Sequence, residues 1–119
     1  MLHLIEFGEG RHRVYLDLIK VGRDLVIYIG GGEEPHIGAV SICSQSGEPL
    51  TFSLPNHKDY IVSHNAAKKI FNETGRKTVV IAGIHVNNAS KEDILQLLKN
   101  AEECVLKFKD ELVKASITK

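Results

Sequence analysis

The stretch Val14-Tyr-Leu-Asp-Leu-Ile-Lys-Val-Gly-Arg-Asp-Leu-Val-Ile-Tyr-Ile29 holds two apolar runs divided by a turn. In the first, Val14, Leu16 and Leu18 alternate with Tyr15, Asp17 and Ile19, the period-two pattern of a strand with one buried face. The second, Leu25 to Ile29, is rich in β-branched and aromatic residues. Gly22-Arg-Asp24 between them has the composition of a turn, so the pair predicts a hairpin. Upstream, Leu2 to Phe7 is another short apolar segment, ending at Gly8-Glu-Gly10. Downstream, Gly30-Gly-Gly32-Glu-Glu-Pro35 reads as a loop by composition. His36 to Cys43 reads as a strand, and Leu50 to Leu54 completes a second hairpin across the turn Gln45–Pro49.

The period then changes. From Asp59 to Thr74, Val62, Ala66 and Ile70 share one helical face with Ala67 and Phe71 beside them, and Gly75 follows where a helix-ending glycine belongs. Thr78-Val-Val-Ile-Ala82 is a continuous apolar run, the pattern of a central strand. Asn87 to Ser90 reads as a loop, and Ser90 with Asp93 resembles a capping box with Asp in place of Glu. Ile94, Leu97, Leu98, Ala101, Val105, Phe108 and Leu112 form one apolar stripe at helical spacing. A β meander followed by helix, strand and helix predicts an α+β two-layer sandwich. Its sheet is mostly antiparallel, and two helices pack on one face.

Length and composition agree with this. The 119 residues suit one domain spanning 1–119. Fifteen basic residues balance fifteen acidic ones, which argues against broad electrostatic binding of nucleic acid or of an anionic membrane. Cys43 and Cys104 lie far apart with no metal-binding spacing, and read as reduced, partly buried thiols. The first residues lack the basic and apolar regions of a secretory signal, and no apolar run is long enough to span a membrane. A cytoplasmic, soluble protein is the expectation.

The chemistry-bearing residues are mostly histidines. Of His3, His12, His36, His57, His64 and His85, the last four fall at or near the ends of expected elements. His36 follows the glycine run, His57 precedes the first helix with His64 two helical turns on, and His85 lies at the carboxyl end of the apolar strand. Ligand sites favour such strand ends. A three- or four-histidine metal site is therefore one reading, although no His-Glu-x-x-His or i, i+4 pair is present. The ordinary alternative is surface or hydrogen-bonded histidine. The glycine run could bring backbone amides close to a phosphate, but no phosphate-loop or dinucleotide motif occurs, and Glu33 and Glu34 would repel an anion. Thr74-Gly-Arg-Lys-Thr78 has phosphate-loop residues in the wrong context, since it leaves a helix and leads into a strand. No Gly-x-Ser-x-Gly surrounds any serine, and nothing near Cys43 would depress its pKa. Glu33-Glu34 and Glu92-Asp93 suit a loop and a first helical turn. What remains is a clustering of His36, Gly38, His57, Lys58, His85, Asn87 and Asn88 at element junctions, with a simple turn as the other explanation for Asn87 and Asn88.

Three of these junctions carry a family resemblance. Gly31-Gly-Glu-Glu-Pro-His-Ile-Gly-Ala-Val40, His57-Lys-Asp59 and Ala82-Gly-Ile-His-Val-Asn-Asn88 resemble, in that order, the LpdD-like family of prenylated flavin chaperones, the small proteins that accompany gallate decarboxylase and its relatives. The resemblance covers about residues 10 to 105. It implies a non-catalytic accessory protein that transiently binds prenylated FMN or FMN. The implied partner is the large subunit of a prenylated-flavin-dependent (UbiD-type) decarboxylase. The implied cofactor-binding residues are Gly31, Gly32, His36, Gly38, His57, Lys58, His85, Asn87 and Asn88, with Ile37, Val40 or Ile84 against the ring face. Two other readings stay open. One is a small metal-binding enzyme built on His36, His57, His64 and His85. The other is an interaction module that forms a homo-oligomer through an exposed sheet face or edge.

Overall fold

The alternation in residues 14–29 becomes a hairpin of β2 (Val14–Val21) and β3 (Asp24–Gly32), with Leu16 opposite Ile29 and Leu18 opposite Ile27. The computed structural model describes residues 2–55 and 58–118. β1 (Leu2–Phe7) pairs antiparallel with β2, and β4 (Ala39–Cys43) with β5 (Leu50–Ser53). Helix α1 (Tyr60–Thr74), strand β6 (Thr78–His85) and helix α2 (Lys91–Thr118) complete the chain. The class is the expected α+β, with two helices against one sheet.

The sheet order is β1-β2-β3-β6-β4-β5. The apolar run of β6 inserts between the first three strands and the second hairpin, parallel to β3 and antiparallel to β4. Both flanks of β6 are thereby hydrogen-bonded, as its unbroken apolar sequence requires.

One sheet face is closed by the helices. Leu16, Ile27, Ile29, Val80 and Ala82 meet Val62, Ala66 and Ile70 of α1 and Leu97, Ala101, Val105 and Phe108 of α2 in a single core cluster. Ser90 and Asp93 form the capping box: the Ser90 N–H donates to Asp93 Oδ2 at 2.9 Å and the Asp93 N–H to Ser90 Oγ at 3.0 Å. Cys43 and Cys104 are free and buried. Burial pushes the Cys104 thiol up to about 11. Among the described residues, no helix is long and apolar enough to cross a membrane.

Two boundaries differ from the sequence reading, and both bear on the site. Gly30–Gly32 is not a loop: it is the end of β3, paired with Gly83–His85. A Cβ on Gly31 would fall 2.3 Å from the Arg13 carbonyl oxygen, and one on Gly32 2.3 Å from that of His85. The glycines are there because backbone presses on both sides of the strand. β4 begins at Ala39, not at His36. His36 to Gly38 instead runs alongside β6, with the His36 N–H donating to the Gly83 carbonyl (3.3 Å) and the Gly38 N–H to that of Ala82 (2.8 Å).

Candidate functional site

The carboxyl end of β6 is where the sequence motifs meet. Gly83 and Gly38 make the meeting possible. A Cβ on Gly83 would lie 1.6 Å from the His36 carbonyl oxygen, and one on Gly38 1.9 Å from Asp59 Oδ2. With hydrogen at both positions, the Pro35–Gly38 segment lies flat on β6 and Asp59 reaches in beneath it. The Tyr28 hydroxyl donates to the His36 carbonyl at 2.6 Å. Burial, and secondarily Tyr15, raise the Tyr28 phenol to about 12, so it remains a donor across the physiological range.

Asp59 occupies the N-cap position of α1 but makes no side-chain cap to that helix. Its carboxylate is directed at the sheet. Oδ1 accepts the Ile84 N–H at 2.9 Å, and Oδ2 lies 3.1 Å from His36 Nε2. The other His36 nitrogen, Nδ1, lies 3.1 Å from the Glu34 carbonyl oxygen. Asp59 is 7% exposed, so this pairing fixes the imidazole from a dry side. The His85 ring stands edge-on to that of His36, with centroids 6.3 Å apart, and its Nε2 is 3.1 Å from Asn87 Oδ1.

Around these residues lies an open cleft of about 380 Å³. Its polar rim is His36, Lys58, His85 and Asn88, with Asp59 behind His36. Its opposite wall is apolar: Ile84, Val86, Ile94, Leu97 and Leu98. The cleft sits at the amino ends of both helices, next to Lys58–Asp59 before α1 and Asn88–Ala89 before α2. Helix amino ends carry partial positive charge, so this corner favours an anion. A larger groove of about 560 Å³ runs between α1 and α2 and shares Val62 and Leu98 with the cleft.

The Asn87-Asn88 turn is fixed from outside. The Asn87 N–H donates to Glu33 Oε1 at 2.8 Å, and Arg11 donates to the Asn87 carbonyl at 2.8 Å. Asn88 has a left-handed φ of 51°. The turn explanation for this pair is therefore correct as far as it goes, and Asn88 also lines the cleft.

Of the expected site residues, His36, Lys58, His85 and Asn88 come together in this cleft, with Asn87 bonded to His85. Gly31 and Gly32 do not line it; they are strand-paired in β3. Gly38 supports it by making room for Asp59. His57 lies outside the described residues. Ile84 lines the cleft, whereas Val40 lies on the opposite face of the sheet and Ile37 is exposed away from it. His64 is elsewhere: its Nδ1 meets Thr51 Oγ1 and its Nε2 meets Glu48 Oε1, both at 2.8 Å. The metal reading gains no support, because the described residues hold no group of three or more His, Cys, Asp or Glu placed to bind an ion. Sequence reasoning passed over Asp59 as a site residue, although it stands in the His57-Lys-Asp59 motif. It also counted Ile94 as core.

Residues 8–113 match the family model described as the prenylated flavin chaperone LpdD-like domain, and the chain belongs to that family. It is 38% identical over 79 residues to Protein LpdD of Lactiplantibacillus plantarum, a match spanning 62% of this chain and 58% of that protein. The match thus spans less than two thirds of that relative's length. In fold, the chain resembles a solved structure described as a novel chaperone complex for yeast 20S proteasome assembly. The TM-score is 0.61 at 13% identity, covering 93% of this chain and 98% of the other.

Proposed function

We propose that this member of the family is a non-catalytic carrier that holds prenylated FMN, or FMN, in the cleft at the end of β6. It would release the flavin, in the cytoplasm, to the large subunit of a prenylated-flavin-dependent decarboxylase. The observation that carries the reading is the pairing, within one cleft, of a cationic and polar rim with an apolar wall. Flavin mononucleotide has matching parts: a dianionic phosphate, a hydrogen-bonding ring edge and an apolar ring face. Lys58 and the two helix amino ends suit the phosphate. His36, His85 and Asn88 suit the polar edge. Ile84, Ile94 and Leu98 suit the ring face. The volume lies within the range of small-molecule sites, roughly 300–1,000 Å³.

The flavin is cargo here, so the protein's task is to bind, to exclude water from one ring face and to let go. An open cleft without an aromatic cage suits that task better than a closed one. The test is titration of the full chain with FMN and with prenylated FMN, by fluorescence and calorimetry. Saturable binding weakened at least about 10-fold by Lys58→Ala and by His85→Ala supports the reading. The absence of saturable binding of either flavin overturns it.

A further inference from the structure

His36 meets an oxygen at each of its two ring nitrogens. Nδ1 lies 3.1 Å from the Glu34 carbonyl oxygen, and Nε2 lies 3.1 Å from Asp59 Oδ2. A carbonyl and a carboxylate only accept hydrogen bonds, so both nitrogens must donate. A neutral imidazole has one N–H and satisfies one of the two; the imidazolium has both. The carboxylate supplies a second argument. Asp59 is buried, and a buried carboxylate is costly unless a cation pairs with it. Were the shared proton on Asp59 instead, a neutral acid would face a neutral imidazole, but imidazole is the stronger base of the two. Among the described residues, the groups that oppose the charge are weaker. His85 stands edge-on to His36 with ring centroids 6.3 Å apart. Lys58, on the same rim, is exposed, so solvent screens its repulsion. Tyr28 touches the His36 carbonyl rather than its ring.

We infer that His36 is a fixed cation of the cleft, and that the cleft therefore selects the anionic, reduced form of its flavin over the oxidised form. The selection rests on the carrier reading above; the charge does not. The His36 side chain is 23% exposed and that of Asp59 8%, so the pair turns its positive end toward a ligand. Lys58 and the two helix amino ends add to the same sign. Both His36 nitrogens are engaged, so the ring acts on a ligand by charge, and hydrogen bonding to the flavin edge falls to His85 and Asn88. Lys58 suits the phosphate, which both redox forms carry and which therefore does not tell them apart. The ring does. Oxidised isoalloxazine is neutral, whereas the reduced ring gives up its N1 proton and spreads negative charge over that nitrogen and the neighbouring carbonyl oxygen. A charge placed beside that edge is one of the means by which a protein tunes a flavin.

The charge is read first, on the full chain without ligand. In proton–nitrogen correlation spectra of the histidine rings slightly above neutral pH, both His36 nitrogens are expected at the imidazolium position. Asp59→Asn is expected to return the ring to a neutral tautomer. A neutral His36 in the wild type overturns the inference, whatever the flavin does. Binding of FMN is then measured anaerobically, oxidised and dithionite-reduced. The reduced form is expected to bind about 10-fold tighter or more, which raises the two-electron midpoint potential of bound FMN by about 30 mV. His36→Gln is expected to bring the ratio of the two affinities near one, while Lys58→Ala weakens both forms alike. A wild-type ratio near one overturns the selection, and so does a ratio that His36→Gln leaves unchanged. Failure of both forms to bind overturns the carrier reading and the selection with it, and the spectra alone then decide the charge. Should His36→Gln fail to fold, Asp59→Asn decides, because it too removes the charge.

Discussion

Asp59 Oδ2 lies 3.1 Å from His36 Nε2, across a sequence separation of 23 residues. The same carboxylate holds the Ile84 N–H through Oδ1. One buried side chain thus joins the start of α1, the segment before β4 and the end of β6, the three places that carry the family motifs. Removing it should loosen the cleft and the fold together. Asp59→Ala leaves the part-buried Ile84 N–H without its acceptor, an expected cost of about 1–2 kcal/mol. Asp59→Asn keeps an oxygen for Ile84 and should cost less. Urea unfolding of the two variants checks the order, and an Asn variant as unstable as the Ala variant would contradict it.

Gly83→Ala should be more damaging than Gly38→Ala. At Gly83 the added Cβ collides with backbone, the His36 carbonyl, which is itself pinned by Tyr28. At Gly38 it meets a carboxylate that can turn away. Overpacking of this kind costs about 1–3 kcal/mol, and more where nothing can move. Thermal melts of the two variants give the ranking. Flavin binding should weaken in both, since each displaces His36.

Acid should unwind the start of α2 before the rest of the chain. Donation from the Ser90 backbone N–H, and then the hydrogen bond with His12, hold the Asp93 carboxyl down at about 2. The folded pKa is lower than the ordinary 3.8. The stabilisation is therefore fully present above that value and is lost as pH falls from about 4 to about 2. Asp93→Asn should have a lower melting temperature than the wild type at pH 7, and the gap should close by pH 2. A gap that stays constant with pH would assign the effect to packing.

The hairpins, both helices and the capping box were legible because each has a local signature: period two, period 3.6, or a side chain three residues from its backbone partner. The end of β3 was not. Gly30–Gly32 has no side chains to show a period, and its strand pairing depends on Arg13 and His85, far away in sequence. The place of β6 between β3 and β4 is likewise a long-range fact. The cleft was half legible. His36, Lys58, His85 and Asn88 stood out as polar residues at junctions. Of its apolar wall only Ile84 did, because Ile94 continues the core stripe of α2 in register although it is 48% exposed. Asp59 reads only as the start of the helical stretch until its carboxylate is seen bonded to the sheet.

Lys58 should distinguish the flavin phosphate from the flavin ring. Riboflavin has the same ring as FMN and no phosphate. An ammonium at the amino end of α1 can favour only the phosphorylated form, while Ile84, Ile94 and Leu98 meet both alike. FMN should therefore bind about 10-fold or more tighter than riboflavin, a difference of roughly 1.4 kcal/mol, as expected for a partly solvated charge-assisted contact. Lys58→Ala should bring FMN toward the riboflavin affinity and leave riboflavin nearly unchanged. Added salt should act in the same direction, since Lys58 is exposed and the attraction is screened. Ile94→Ser should instead weaken both ligands by a similar factor. If Lys58→Ala lowers both affinities equally, the lysine supports the cleft rather than the phosphate, and the anion lies elsewhere along the two helix amino ends.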